Sequence, residues 1–149
     1  LMALTTGARK SELTGLTWAD VDLERAEAHV GRTKNGDPRV LPLVPAVIEE
    51  LQKFKAGASS FVFRSPRSAE RVFAFEPRFH EALRAARIKG ATFHTLRHSA
   101  ASTLARNGAT LLEIADILGH RQLQMTKRYS HLATGHKAAL VTRVMGGLR

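Results

Sequence analysis

Apolar residues recur at helical spacing along most of this chain and divide it into several short helices. Pro45 can occupy the first turn of a helix, and it precedes an apolar stripe formed by Val47, Ile48, Leu51 and Phe54. This stripe predicts a helix over residues 45–55. The same spacing predicts further helical segments over residues 11–16, 75–87, 95–105, 111–118, 122–128 and 135–145.

Two stretches, residues 27–32 and 39–43, have the pattern of strands instead. The Asn35-Gly36 pair lies between them and favours a hairpin, because both residues accept a positive φ. The hairpin would carry Lys34 at or beside its tip. Residues 61–63 predict a short extended segment, and the polar, basic stretch 65–71 predicts a loop. The pattern as a whole indicates an α+β fold, mostly α-helical with a small antiparallel β-sheet near the N-terminal half.

Length and composition indicate one globular domain spanning residues 1–149. Hydrophobic residues make up 44% and charged residues 24%, the balance of a soluble protein. Residues 1–6 have the pattern of a helix end without a cap, so we expect a fragment preceded by another segment or domain. The sequence contains no apolar run of membrane-spanning length and no secretory signal. It also lacks cysteine, and we therefore expect a cytoplasmic protein with no membrane partner.

The charge of the chain changes this picture most. Lysine and arginine number 23 against 13 acidic residues, which gives a net charge of +10 and a pI near 11.1. A field of this sign and size attracts polyanions, most often nucleic acid. The basic residues are scattered over the whole chain, as expected for a folded surface that contacts a DNA duplex.

The strongest candidate chemistry lies in the stretch His94-Thr95-Leu96-Arg97-His98. Two histidines at this spacing share a helix face and also suit a metal ion. The next acidic residue is Glu113 and cysteine is absent, so the donors for a metal site are few. Arg97 between the two histidines favours an anion instead, because a guanidinium presents a fixed fork of donors to phosphate oxygens.

Further polar residues stand at turns or element ends, and their order along the chain resembles a known family. Thr6-Gly7-Ala8-Arg9-Lys10-Ser11-Glu12-Leu13 is similar to the first arginine motif of the tyrosine recombinases, the phage integrase family. Thr33-Lys34-Asn35-Gly36 resembles the family's hairpin lysine, and the His94–His98 stretch its second-arginine box. Leu118-Gly119-His120 followed by Tyr129 resembles the closing motifs. The resemblance extends over essentially the whole chain, and we expect the family's N-terminal DNA-binding domain to lie in a segment that preceded this fragment.

This resemblance implies a recombinase catalytic-domain fold and a site that cleaves and rejoins double-stranded DNA through a covalent 3′-phosphotyrosyl intermediate. Tyr129 is the single tyrosine of the chain and the implied nucleophile, although a packed structural aromatic is the alternative. Arg9 and Arg97 would stabilise charge on the phosphate, and His120 would be a third donor. Each arginine could also be a surface ion-pair partner.

The remaining roles are implied in the same way. His94 would assist proton transfer from Tyr129, or donate to the phosphate, and Lys34 would protonate the leaving 5′-oxygen. Glu12 would hold Arg9 or support the site, and His98 would have a supporting or purely structural role. Neither metal, ATP nor another cofactor is implied. The family further implies a homotetramer on DNA, with a monomer possible for a fragment, and its last helix could dock on a neighbour.

Two other functions remain open at this point. The helices over residues 95–107 and 110–118 could form a helix-turn-helix of a DNA-binding module without enzymatic activity. A nicking-closing enzyme similar to type IB topoisomerases would use the same kinds of residues. Covalent capture of DNA separates the first alternative from a recombinase, and plasmid relaxation measured beside recombination separates the second.

Overall fold

Seven α-helices and five short β-strands make up the described part of this computed structural model, residues 1–31, 38–55, 60–65 and 68–147. The helices are α1 (Met2–Thr6), α2 (Lys10–Thr14), α3 (Pro45–Phe54), α4 (Phe75–Ala85), α5 (Phe93–Arg106), α6 (Leu111–Leu118) and α7 (Thr134–Met145). The strands are β1 (Val21–Asp22), β2 (Glu27–Val30), β3 (Arg39–Pro42), β4 (Arg64–Ser65) and β5 (Ser68–Val72). Shorter 3₁₀ turns span Trp18–Asp20, Leu123–Met125 and Lys127–Ala133. The predicted α+β class, mostly helical with a small antiparallel sheet, is confirmed.

The predicted hairpin strands are β2 and β3 of a three-stranded antiparallel sheet in the order β1-β2-β3, with β2 at its centre and β3 at one edge. The register pairs Ala28 with Leu41 and Val30 with Arg39. Alternate side chains of a strand face opposite sides, and Ala28, Val30 and Leu41 are buried. Lys34 and the Asn35-Gly36 turn lie outside the described residues.

Two hydrophobic clusters form on either side of α5. The larger one joins α1, α2, the three-stranded sheet and α3, with Leu13, Leu41 and Leu51 among its buried members. The smaller one joins α5, α6 and the 3₁₀ turn at Lys127–Ala133 through Ala101, Ala105, Ile114, Leu118 and Tyr129. Because α5 packs against both α1 and this 3₁₀ turn, it connects the N-terminal motif with the tyrosine.

The ends of α5 and α6 are set by local signals in the sequence. Thr95 Oγ1 accepts a hydrogen bond from the Thr92 backbone N–H at 2.9 Å, so α5 begins at Phe93, earlier than predicted, and His94 lies in its first turn. Thr110 caps α6 by accepting from the Glu113 backbone N–H at 3.2 Å. Gly119, with φ of 64°, ends α6 in the left-handed conformation that glycine favours.

The structure corrects several predicted boundaries. The stretch 65–71 is largely not a loop, since β5 pairs antiparallel with β4. Its polar composition did not indicate this pairing, because strand ladders join backbone groups whatever the side chains are. The predicted helix over 11–16 is shifted to Lys10–Thr14, and the helical turn over 122–128 is replaced by two 3₁₀ turns.

The last helix, α7, follows the 3₁₀ turn that contains Tyr129 and leaves large apolar side chains exposed. Leu140, Val141, Val144 and Met145 are each at least 40% exposed. None of the helices within the described residues combines the length and the apolar character needed to cross a bilayer.

Candidate active site

Five of the six predicted catalytic residues line one cavity of about 140 Å³. It lies where the α1–α2 turn, α5, the end of α6 and the last 3₁₀ turn meet. Its lining consists of Arg9, His94, Arg97, His98, His120, Met125, Arg128 and Tyr129. A neighbouring groove of about 270 Å³ shares Arg9, His94 and Arg97 with it.

Arg97 is held by the N-terminal motif. Its guanidinium Nη1 donates to the Gly7 carbonyl oxygen at 2.8 Å, and the residue is only 3% exposed. Gly7 has a φ of 63°, and a Cβ there would lie 2.4 Å from Leu118 Cδ2, so both conformation and space require glycine. Burial, followed by the charges of Arg9 and Arg39, lowers the Arg97 pKa to about 10, and the group stays protonated at neutral pH.

Glu12 forms two hydrogen bonds with Arg9. Its Oε1 accepts from Arg9 Nη1 at 2.9 Å and its Oε2 from the Arg9 backbone N–H at 2.6 Å. A second Arg9 nitrogen donates to the Gly119 carbonyl oxygen at 3.3 Å. Although burial alone would raise it, the Glu12 pKa is lowered by hydrogen bonds and charge from Arg39 and Arg9, so the carboxylate is ionised.

Arg39 belongs to this group, and the sequence analysis did not identify it. Its Nη2 donates to Glu12 Oε2 at 2.8 Å, and its Nη1 donates to the Ile117 carbonyl oxygen. One signal in the sequence could have revealed it. Arg39 alternates with Leu41 in β3 and with Leu43 just after the strand, which places an arginine on the face that is otherwise buried.

His120 is positioned by Thr126, a second residue that the sequence analysis missed. His120 Nδ1 and the fully buried Thr126 Oγ1 are 2.8 Å apart. Burial and then the charges of Arg97, Arg9 and Arg39 lower the His120 pKa to about 4. The imidazole is therefore neutral at pH 7. If Thr126 donates to Nδ1, the opposite ring nitrogen carries the proton and can donate into the cavity.

Tyr129 is 6% exposed, and its hydroxyl is 2.5 Å from His98 Nδ1. Burial raises the Tyr129 pKa, although Arg128 and Arg97 oppose the effect, so the hydroxyl is protonated at neutral pH. Burial and the nearby His94, Arg128 and Arg97 lower the His98 pKa, which leaves this ring neutral and able to accept a proton.

The structure brings His98 rather than His94 to the Tyr129 hydroxyl, and the role expected for His94 stays a prediction. His98 contacts the hydroxyl because it lies one helical turn further along α5, closer to the 3₁₀ turn that carries the tyrosine. His94 packs edge-on against His98, with ring centroids 4.7 Å apart, and is exposed at the cavity rim. Within the described residues, no group of three or more histidine, cysteine or acidic side chains is arranged to hold a metal ion.

The cavity thus combines the guanidiniums of Arg9, Arg97 and Arg128 with a neutral imidazole, that of His120, and the protonated hydroxyl of Tyr129. This arrangement suits a phosphodiester, whose oxygens accept from fixed cationic donors. Lys34 lies outside the described residues, and its relation to the cavity stays a prediction. A larger cavity of about 690 Å³ near Met2, Leu51 and Phe79 is lined mainly by apolar side chains and contains none of the predicted site residues.

Comparison with known proteins agrees with this geometry. Residues 1–136 match the profile of the phage integrase family. The shufflon-specific DNA recombinase of Escherichia coli is 36% identical over 132 residues, covering 88% of this chain and 33% of the recombinase. The crystal structure of XerA recombinase aligns with a TM-score of 0.77 at 27% identity, covering 95% of this chain and 55% of XerA. The catalytic domain of bacteriophage HP1 integrase aligns with a TM-score of 0.71 at 30% identity, covering 94% and 76%.

The chain spans less than half the length of the first curated relatives that it matches, from 33% to 40% for three of them. The aligned region is the one that holds the cavity. The described residues therefore have the fold of a tyrosine recombinase catalytic domain.

Proposed function

Because the chain belongs to the phage integrase family, we propose that it cleaves and rejoins double-stranded DNA for site-specific recombination or integration. The observation that carries this proposal is the shared cavity, in which Arg9, Arg97, His120 and Tyr129 meet although they are distant in sequence. The name of the E. coli relative, a DNA recombinase, supports DNA as the substrate. The net charge of +10 supports it as well.

In the proposed cleavage step, the Tyr129 hydroxyl oxygen attacks a backbone phosphorus. A bond forms between this oxygen and phosphorus, and the bond from phosphorus to the 5′-oxygen breaks. The phosphate stays attached to the protein as a 3′-phosphotyrosyl ester, so the bond energy is conserved for rejoining and no ATP is consumed. Arg9, Arg97 and His120 donate to the non-bridging oxygens, where charge develops in the transition state.

Two protons move in this step. The Tyr129 proton passes to His98 Nδ1, which is neutral and already 2.5 Å from the hydroxyl. His94, at the rim, donates to the phosphate. Lys34 supplies the proton that the departing 5′-oxygen requires, as the resemblance to the family implies. Rejoining reverses both transfers.

The test is covalent capture of DNA. The protein is incubated with fragmented bacterial genomic DNA, denatured in detergent, and the attached DNA is sequenced to identify a cleavage site. A duplex with a nick beside that site then traps the covalent complex. Tyr129→Phe should retain DNA binding and give no covalent complex, whereas His29→Gln, at an exposed position on β2, should cleave normally. A covalent complex with Tyr129→Phe would mean that another nucleophile acts.

We also propose that the reaction needs no metal ion, because Arg9 and Arg97 supply the positive charge that divalent cations provide in many phosphoryl-transfer enzymes. Cleavage of the trapped duplex should proceed in EDTA at the rate measured without it. Loss of cleavage on chelation, restored by a divalent metal ion, would contradict this.

For the assembly, we propose a homotetramer on two DNA duplexes. The exposed apolar side chains of α7, among them Val141, Val144 and Met145, would pack on a neighbouring subunit. Crosslinking in the presence of the captured DNA site should give tetramers, and Val141→Asp with Val144→Asp should prevent them.

Because the proposed substrate is DNA, we also propose that the protein acts in the bacterial cytoplasm.

The two alternatives make different predictions. A helix-turn-helix module formed by α5 and α6 would bind DNA without any covalent complex. An enzyme similar to a type IB topoisomerase would form the covalent complex and relax supercoiled plasmid. It would not exchange strands between two duplexes that carry the captured site.

A further inference from the structure

Arg39 joins three separate segments of the chain beneath the cavity. It begins strand β3, its Nη2 contacts Glu12 in α2, and its Nη1 contacts the Ile117 carbonyl at the end of α6. The side chain is 8% exposed. An ion pair this deep differs from an exposed surface pair, because neither partner can exchange its contacts for water without cost.

Arg39 and Arg9 each contact the same two parts of the protein, the Glu12 carboxylate and the end of α6. Both donate to the Glu12 carboxylate, Arg39 to Oε2 and Arg9 to Oε1. Both also donate to a carbonyl at the end of α6, that of Ile117 for Arg39 and that of Gly119 for Arg9. Carbonyl oxygens at a helix C-terminus carry partial negative charge, which suits two cations.

The contact with α6 is close. A Cβ at Gly119 would lie 2.6 Å from Arg39 Cδ and 2.9 Å from its Nε, so the arginine side chain packs directly on the glycine backbone. His120, a proposed phosphate donor, is the next residue. The position of Arg39 therefore constrains both the carboxylate that holds Arg9 and the backbone that leads to His120.

We propose that Arg39 is a positioning residue for DNA cleavage, which sets Arg9 through Glu12 and His120 through the end of α6. This inference rests on the proposed cleavage reaction. Arg39 does not line the cavity and would not touch the DNA phosphate. Its fork of donors is needed because one side chain must span a carboxylate and a carbonyl at the same time.

A role in positioning differs from a role in stability alone. Without Arg39, Glu12 Oε2 keeps only the Arg9 backbone N–H, and the end of α6 loses one of its two guanidinium contacts. Arg9 and His120 would then sample a wider range of positions around the phosphate. Small displacements of groups that stabilise a transition state reduce the rate strongly while DNA binding, which uses many phosphate contacts, changes little.

The experiment compares Arg39→Met, Arg39→Lys and the control Arg25→Met, which alters an exposed arginine on the β1–β2 turn. The nicked duplex carrying the captured site is the probe. Single-turnover cleavage is measured with saturating protein at a temperature well below each variant's thermal midpoint, and DNA affinity and thermal midpoint are measured beside it. Glu12→Gln and the double variant Glu12→Gln with Arg39→Met complete a double-mutant cycle with Arg39→Met and the unaltered protein.

We expect Arg39→Met to cleave about 10- to 100-fold more slowly, as for loss of a hydrogen bond to a charged group, with DNA affinity changed less than about threefold. Arg39→Lys should recover part of the rate. The double variant should be slower than Glu12→Gln alone but faster than the product of the two single losses, because Arg39 acts in part through that carboxylate. Arg25→Met should match the unaltered protein.

Three results would overturn the inference: a normal cleavage rate in both Arg39 variants, losses that multiply independently in the double variant, or a rate loss fully explained by weaker DNA binding. Should Arg39→Met fail to fold, Arg39→Lys and Glu12→Gln provide the same comparison. Failure of the unaltered protein to form any covalent complex would instead contradict the proposed function.

Discussion

The two sides of the cavity are built differently. On the arginine side, defined by Arg9, Glu12, Arg39 and Arg97, each guanidinium has at least one protein hydrogen bond, and Glu12 and Arg97 are almost fully buried. On the tyrosine side, defined by His94, His98 and Tyr129, one hydrogen bond joins the tyrosine hydroxyl to an imidazole.

This difference agrees with the roles that the proposed cleavage reaction gives to each side. Permanent charges that stabilise a transition state act best when they are fixed beforehand, and buried contacts to backbone carbonyls and a carboxylate fix them. Groups that transfer a proton must instead change their charge, and a network of permanent ion pairs would prevent that. A neutral His98 against a protonated Tyr129 keeps the proton able to move.

The largest effect should come from the arginine side. Arg97→Lys keeps the charge but loses the fork, so one ammonium cannot hold the Gly7 carbonyl and the phosphate together. We expect single-turnover cleavage to fall by about 10³-fold, the upper range for removal of a transition-state donor. The control is Arg106→Lys, at an exposed position of the same helix. A fall in the cleavage rate of less than about tenfold would mean that the positive charge at position 97 suffices and that the forked shape of the guanidinium is not needed.

A smaller loss is expected on the tyrosine side. His98→Gln should slow cleavage by about 10²-fold, at the lower end for general acid–base catalysis, because Gln cannot take the tyrosine proton. His94→Gln should cost less than about tenfold, since Gln can still donate to the phosphate.

The dependence of the rate on pH sharpens this prediction. The His98 pKa is lowered below 6.5, chiefly by burial, so the unaltered protein should lose activity only as the pH falls through that lowered value. His98→Gln should lack this decline. If His94→Gln removes the decline instead, the proton passes to His94.

Thr126→Val tests whether His120 belongs with the fixed arginine side. Valine keeps the shape of threonine but removes the hydroxyl that orients His120 Nδ1. Cleavage should slow by up to about tenfold, the effect of one neutral hydrogen bond. Thr103→Val, at an exposed position of α5, is the matched control. An unchanged rate would show that the surrounding packing orients the imidazole without the hydroxyl.

The smallest effect concerns stability. The His120 pKa is about 4 in the folded protein and about 6.5 in an unfolded chain, so the unfolded state binds more protons between these values. The free energy of unfolding should therefore fall as the pH is lowered from 6.5 towards 4. Chemical denaturation across this range should show a weaker decline for His120→Gln than for the unaltered protein. Equal declines would mean that His120 is solvated in the folded state.

Several elements were predictable because their signals are local. The caps at Thr110 and Gly119, the proline start of α3 and the β2–β3 pairing depend on neighbouring residues, and all are present. The pairing of β4 with β5 was not predictable, because it depends on backbone register and not on the polarity of residues 65–71. In the site, Arg39 was missed because an arginine at the start of a strand usually extends into solvent.

The sequence by itself determined the residue types of the site, the order of its motifs and the family to which they belong. It also determined the positive charge that favours DNA. Only the tertiary structure decided that His98 and not His94 contacts Tyr129, that Arg39 contacts Glu12, and that Thr126 contacts His120. The reason is physical: helix spacing puts both histidines near one face, but the packing of the last 3₁₀ turn against α5 determines which of them meets the hydroxyl.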